Sequence, residues 1–326
     1  MHSVYGVENP LMDFIAHVGY PFVESTGKNP GSMNLVDKGE VEALLGRIGE
    51  FRNIPGGSAA NTIRGIAWLG GKALLPPVFN GAVGRDAVGD RYAKIMERSG
   101  VHAVLPQKNA MTGVSLILVT PDGERTMLTH LGACREFGPA DLDPERLASS
   151  RFLHLTGYLW DTEGQKAAAR EAVEIVRKSG RKIQVSLDIA DPFVARRSGK
   201  DLLDWVPGRV DLLFGNREEL SQLTGESGDA EIMKRARELA PMVVMKTGAE
   251  GCQACRGMET VHVGTRSLTP KDTTGAGDAF AAGFLHAILL GKSLEECSRR
   301  ANALASAICC VEGCDYAALD RGPFRE

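Results

Sequence analysis

The run Asp272-Thr273-Thr274-Gly275-Ala276-Gly277-Asp278 leads straight into Ala279-Phe280-Ala281-Ala282-Gly283-Phe284-Leu285. Two close glycines let the backbone turn tightly and bare its N–H groups. The apolar residues that follow recur at helical spacing, with Phe280, Phe284 and Ile288 on one row and Ala281, Leu285 and Leu289 on the next. A glycine turn opening a buried helix aims N–H groups and the positive end of the helix dipole at one point, which suits an anion. The carboxylate of Asp278 is out of place in a passive anion site, because like charges repel. It fits a site where Asp278 takes a proton from a hydroxyl attacking a phosphoryl group while the N–H groups hold the departing charge. The bland alternative is a helix cap, a place where Asp is favoured.

Other residue types point the same way, each with a plainer alternative. Asp13 follows the first predicted strand between apolar Met12 and Phe14, where an acceptor-only carboxylate suits a bidentate grip on a sugar diol. It also suits a cap or a solvated turn. Gly56-Gly57 permits close backbone approach to a ligand, with Asn61 one turn into the helix, or it is simple helix-entry chemistry. Asn216 and Glu219 set an amide and a carboxylate three apart on one helical face. That pair could hold the water shell of Mg²⁺, or form an ordinary capping box.

Positioning these groups requires a particular fold. Val4–Val7 reads as a strand, and Gly56-Gly57 enters a helix that runs through Trp68 and is closed by Gly70-Gly71. A strand is predicted at Val78–Val83 and a helix from about Asp86 to Ser99. Thr112–Thr120 and Arg125–Thr129 alternate around Pro121-Asp122-Gly123-Glu124 and predict a β-hairpin. From residue 151 strands and helices alternate: strands at Phe152–Leu155, Lys182–Asp188, Leu212–Asn216 and Met242–Lys246, helices near 163–179, near 198–205 and from Arg217. That pattern predicts an α/β fold with a doubly wound, mostly parallel sheet. Residues 15–53, which include an amphipathic helix around Val41–Ile48, and 111–133 do not fit the alternation. They are assigned to a small β-rich lid inserted into a large domain of 1–14, 54–110 and 134–326. Ligands of such sheets sit at the carboxyl ends of the strands, which gathers Asp13, Asn61, Asn216, Lys246, Gly248 and Asp278 into one cleft.

Composition narrows the classes. With 326 residues, 43% hydrophobic and 24% charged, the chain reads as an ordinary globular protein. A net charge of −3 gives no general attraction to nucleic acid or to an anionic membrane. No apolar run is long enough for a bilayer and no export signal is visible, so the expected location is cytoplasmic. Seven cysteines, an odd number, are expected as free thiols, and their spacing matches no zinc pattern. No G-x-x-x-x-G-K-[ST] occurs, and Gly81-x-x-Gly84 lacks the spacing a dinucleotide-dependent oxidoreductase needs. A catalytically dead binding protein would not need an intact Asp278 and glycine turn.

The combination resembles the ribokinase-like (PfkB) family of carbohydrate and nucleoside kinases. One family signature is the Gly56-Gly57-x-x-x-Asn61 entry continuing to Gly81-x-x-Gly84-x-Asp86-x-x-Gly89, and the other is Asp272–Asp278, with Asn216-x-x-Glu219 between them. The segments Gly6–Asp13, Ala190-Asp191-Pro192-Phe193, Asp211–Asn216 and Arg300–Ser306 through Glu312-Gly313-Cys314 are similar to the adenosine kinase branch. The resemblance implies an ATP-dependent kinase acting on a primary hydroxyl of a ribosyl acceptor, adenosine to AMP first. Ribokinase, fructokinase, 2-keto-3-deoxygluconokinase or inosine–guanosine kinase activity stays open. It implies Asp278 as base, the N–H groups of Gly275, Ala276 and Gly277 as anion hole, and Arg125 as a lid residue that neutralises the transferred phosphoryl. A solvated strand arginine is the alternative at 125. Asp13, Gly57 and Asn61 would hold sugar hydroxyls, and Phe193 would stack on a base unless it is core. Asn216, Glu219, Lys246, Gly248 and Asn302 would serve ATP, with Mg²⁺ held through water near Asn216 and Glu219. A monovalent cation, K⁺, near Asp272 and a monomer or homodimer binding a small nucleoside or sugar complete what the resemblance implies.

Overall fold

Runs such as Leu212-Leu213-Phe214 and Met242-Val243-Val244-Met245 show no polar alternation, as strands covered on both faces require. In the computed structural model, which describes residues 2–70 and 74–324, they lie inside the larger of two main sheets. Gly71 falls outside the described residues. Among these, nine strands follow the order Glu259–Val263, Cys252–Arg256, Met242–Lys246, Leu212–Asn216, Gln184–Asp188, Ser150–Thr156, His2–Val7, Val78–Asn80 and His102–Val104. Neighbours run parallel from Met242–Lys246 onward, and the first two form an antiparallel hairpin at the edge.

Alternate side chains go to opposite faces. Leu212, Phe214 and Val244 join one core with the helices Ser58–Leu69, Ala276–Leu289 and Leu294–Ile308. Leu213, Val243 and Met245 join another with Glu163–Lys178 and Pro192–Trp205. This is the expected doubly wound, mostly parallel architecture. The helices of the first face sit unusually close: a Cβ on Gly65 would stand 2.6 Å from Ala282 Cβ and 2.5 Å from Tyr316 Oη. Glycine there lets Ser58–Leu69 lie directly against Ala276–Leu289.

The smaller sheet has five strands among the described residues, in the order Met33–Leu35, Arg125–His130, Gly113–Val119, Leu11–His17 and Arg52–Gly56. Gly113–Val119 and Arg125–His130 form the predicted antiparallel hairpin. The expected segment boundaries cut across two of these strands, since Leu11–His17 spans residue 14 and Arg52–Gly56 spans residue 53. Leu11–His17 is buried at nearly every position, so no alternation advertises it as a sheet of its own. The helix expected near 198–205 begins earlier, at Pro192, because Asp191 caps it by accepting the Phe193 N–H at 2.6 Å. The strand expected at Val78–Val83 ends at Asn80, and Val83–Gly84 pairs instead with Gln107–Lys108. Among the described residues no helix is long and apolar enough to cross a membrane.

Candidate active site

The carboxyl ends of the parallel strands and the face of the small sheet enclose a cleft of about 670 Å³. Its floor is the start of the helix Ala276–Leu289. Gly275 takes the N-cap position with φ +76°, a left-handed conformation that favours glycine. Asp278 is therefore not the cap. Its carboxylate accepts from Ser58 Oγ at 2.6 Å and from Asn61 Nδ2 at 2.9 Å, both on the helix that Gly65 brings close. Burial pushes the Asp278 pKa up to about 6; Ser58 and Asn61 pull it down, Asp188 raises it and Lys246 lowers it. A carboxylate poised there is ionised at neutral pH and still a competent base.

The turn itself departs from expectation at one position. The Ala276 N–H donates to Thr273 O at 3.1 Å, turned back into its own turn rather than toward the cleft. A Cβ on Gly277 would lie 3.3 Å from Lys246 Nζ, so a cation stands beside the helix start. Lys246 ends its strand and pairs with Asp188 at 3.0 and 2.8 Å. Burial opposes its charge, but Asp188 and Glu219 outweigh it and hold the pKa above the usual lysine value.

Asn61 was expected to hold sugar hydroxyls. It lines the cleft, where its Nδ2 donates to Asp278 and its Oδ1 accepts from Arg64 Nη1 at 3.3 Å. Gly57 caps the same helix at φ +97° with its Cα against the Asn9 carbonyl, a contact that no Cβ would permit. In place of a side-chain cap, buried Glu8 accepts the Ala59 N–H, and it also accepts Thr156 Oγ1 at 3.0 Å. Burial and then repulsion from Asp278 hold the Glu8 pKa well above the usual carboxylate range.

Asp13 lines the cleft from the strand Leu11–His17. Burial pushes its pKa up to about 7, with Arg64 pulling it down, Asp278 raising it and Arg125 lowering it. Arg125 opens the strand Arg125–His130 and reaches the glycine turn, where Nη1 donates to Thr274 Oγ1 at 2.6 Å and Nη2 meets Asp272 Oδ2 at 2.5 Å. It is no solvated strand arginine. Phe193 is 49% exposed at the cleft, with the Arg197 guanidinium 5.5 Å from its ring centre, so it is not core.

Asn216 and Glu219 do form a capping box, with Asn216 N–H and Nδ2 donating to Glu219 at 2.8 and 2.7 Å and Glu219 N–H donating back at 2.8 Å. Both also line the cleft. Burial raises the Glu219 pKa to about 7, against the pull of Lys246. The box leaves carboxylate lone pairs for waters but no bare oxygen set for a metal. The donor chemistry fits a hydrated Mg²⁺ and not a directly ligated one. Gly248 turns the chain at φ +62° after Lys246, and Asn302 Nδ2 donates to Val263 O at 2.8 Å; both line the cleft. At Asp272 the fit is poor for a monovalent metal cation: Oδ1 accepts the Thr274 N–H at 2.7 Å, and Oδ2 accepts the Gly313 N–H as well as facing Arg125.

Ser58, Glu8, Asp188 and Tyr158 were not singled out from sequence. Asp188 carried a signal, being a charge at the carboxyl end of an apolar run, the rule that selected Lys246. Ser58 lay inside the Gly-Gly helix entry. Tyr158 lines the cleft with its hydroxyl 3.3 Å from Asp191 Oδ2, in a segment without periodicity.

Comparison with known proteins gives the context. The model of the pfkB family of carbohydrate kinases matches residues 31–321. The structure of adenosine kinase from Sinorhizobium meliloti superposes with a TM-score of 0.87 at 35% identity, covering 96% of this chain and 95% of that one. A probable sugar kinase from Rhizobium etli CFN 42 also gives 0.87, at 33% identity over 96% and 94%. A nucleoside kinase of Methanothermobacter thermautotrophicus is 29% identical over 285 residues, 84% of each chain.

Proposed function

The chain belongs to the pfkB family of carbohydrate kinases, a phosphotransferase of the nucleoside and sugar type, and from that premise we propose that it phosphorylates the 5′-hydroxyl of a purine nucleoside, adenosine first. One observation carries the choice of acceptor. Asp13, Ser115, Thr129 and Leu35 are successive cross-strand partners in the small sheet, and all four line the cleft. The row runs from a carboxylate through two hydroxyls, bonded to each other at 2.9 Å, to an exposed leucine. The next row, Ile117, Met127 and Met33, is apolar throughout. A ribosyl group with its diol at Asp13 leaves its base under Leu35 and Met33, apolar side chains that are 52% and 40% exposed until something flat covers them. A free sugar has nothing to place there.

In this reading the small sheet is a lid that brings Arg125 to the glycine turn. Asp278, aligned by Ser58 and Asn61, accepts the proton of the attacking hydroxyl. Gly275 and Gly277 with Lys246 and Arg125 meet the charge that builds on the transferred phosphoryl, which is the larger part of such catalysis. Asn216, Glu219, Gly248 and Asn302 border the ATP end. Mg²⁺, held through water by Glu219, would neutralise phosphate charge there. The test is a screen for ADP release with adenosine, inosine, guanosine, ribose, fructose and 2-keto-3-deoxygluconate as acceptors. Adenosine is expected to give the highest kcat/KM, and higher efficiency with ribose or fructose would overturn the acceptor assignment.

A further inference from the structure

The Asp272 side chain has no exposed surface, yet it carries a charge at the joint between the two sheets. Two backbone N–H groups, of Thr274 and Gly313, donate to it, and the Arg125 guanidinium completes its shell. Arg125 belongs to the small sheet and Asp272 to the turn that opens the Ala276–Leu289 helix. The same guanidinium also donates to Thr274, inside that turn. We infer that Asp272 is a positioning residue: it fixes the Arg125 guanidinium beside Gly275–Gly277, and Arg125 in return is the cation that balances Asp272.

Three physical points support this. An arginine side chain loses much rotamer freedom when it is ordered, and anchoring it before the reaction removes that loss from the transition state. A guanidinium has five N–H donors in a fixed fork, so two can stay on Asp272 and Thr274 while others face a phosphoryl group. A buried carboxylate needs a partner, and here the partner comes from within the chain rather than from a metal ion. The inference rests on the kinase reading but not on which acceptor is used.

The experiment is chemical rescue. Wild-type turnover is measured in K⁺, Na⁺ and tetramethylammonium chloride at equal ionic strength, and the same rate is expected in each. Activation by K⁺ over tetramethylammonium would overturn the inference. Arg125→Ala is expected to lose roughly 10²–10³-fold in kcat, the scale for removing one donor to developing charge. Millimolar guanidinium should restore part of that and raise the melting temperature of the variant. In Arg125→Ala/Asp272→Asn both effects should vanish, because the anchor is gone. No rescue in the single variant, or equal rescue in both, overturns the inference. Should the double variant not fold, Arg125→Ala/Asp272→Glu replaces it: a displaced acid should blunt the rescue, and undiminished rescue counts against the anchor. Failure of the kinase premise would show separately, as wild-type protein inert toward every acceptor.

Discussion

Ser58 Oγ donates to Asp278 Oδ1 at 2.6 Å, although 220 positions separate the two residues in the chain. With Asn61 on the other oxygen, both carboxylate oxygens are held by neutral donors. Neutral donors orient the group without adding charge. They lower its basicity less than a cation would, so burial still wins and the pKa settles near 6. The two helices can hold this arrangement only because Gly65 presents no side chain to Ala282.

Asp278→Asn should keep ATP and acceptor binding nearly intact and remove most turnover. The amide preserves shape and its oxygen can accept the Ser58 bond, but its NH2 meets the Asn61 NH2 in place of an acceptor, and it cannot take a proton. Loss of a general base lowers kcat by roughly 10²–10⁴-fold. Steady-state kinetics with separate binding isotherms checks both halves, and wild-type turnover would end the assignment of this role.

The pH profile gives a second check. Only the ionised Asp278 can accept a proton, so kcat should rise with pH and level off above about 6, whereas kcat/KM also carries the ionisation of free Asp13, pushed up to about 7. Ser58→Ala deletes a donor that favours the ionised form, so the folded-state pKa rises and the acid limb moves to higher pH. A limb that stays in place, or moves to lower pH, would show that Ser58 does not act on the base.

Much of this site was legible in the residues because it depends on backbone chemistry. Gly275 and Gly57 sit at positive φ and Asn216 with Glu219 closes a capping box, features that local sequence encodes. What was not legible depends on pairing across long separations. Asn61 bonds to Asp278, 217 positions away, the Ala276 N–H folds back onto Thr273, and Leu11–His17 joins the small sheet and not the large one. No local pattern distinguishes those outcomes, since each is decided by which helix or strand arrives from elsewhere.

Gly65→Ala tests the helix contact. Its Cβ would meet Ala282 and Tyr316 inside van der Waals distance, and overpacking of this kind costs about 1–3 kcal/mol. Urea titration should show that loss. Because the push lands on the helix bearing Asp278, kcat should also fall while KM for ATP stays near wild type. A variant as stable and as active as wild type would mean that the two helices separate freely.

The sharpest expectation concerns the acceptor. Asp13 can accept two hydroxyl donors at once, and with burial raising its pKa to about 7 it gains from a ligand that supplies them. 2′-Deoxyadenosine lacks one donor and leaves a buried lone pair unmet, a penalty of about 1–3 kcal/mol that corresponds to roughly five- to 150-fold in kcat/KM. Phe193 tests the other end of the molecule. Its ring is half exposed beneath Arg197 and needs no core role to explain it. Stacking on a base contributes about 0.5–1.5 kcal/mol, so Phe193→Ala should raise KM for adenosine several-fold and leave any ribose turnover unchanged. The two changes, one in the ligand and one in the protein, act at different ends of the bound nucleoside and should combine additively. If deoxyadenosine matches adenosine while Phe193→Ala is silent, the Asp13–Leu35 row does not read a nucleoside, and the acceptor reverts to a sugar with the Asp278 chemistry unchanged.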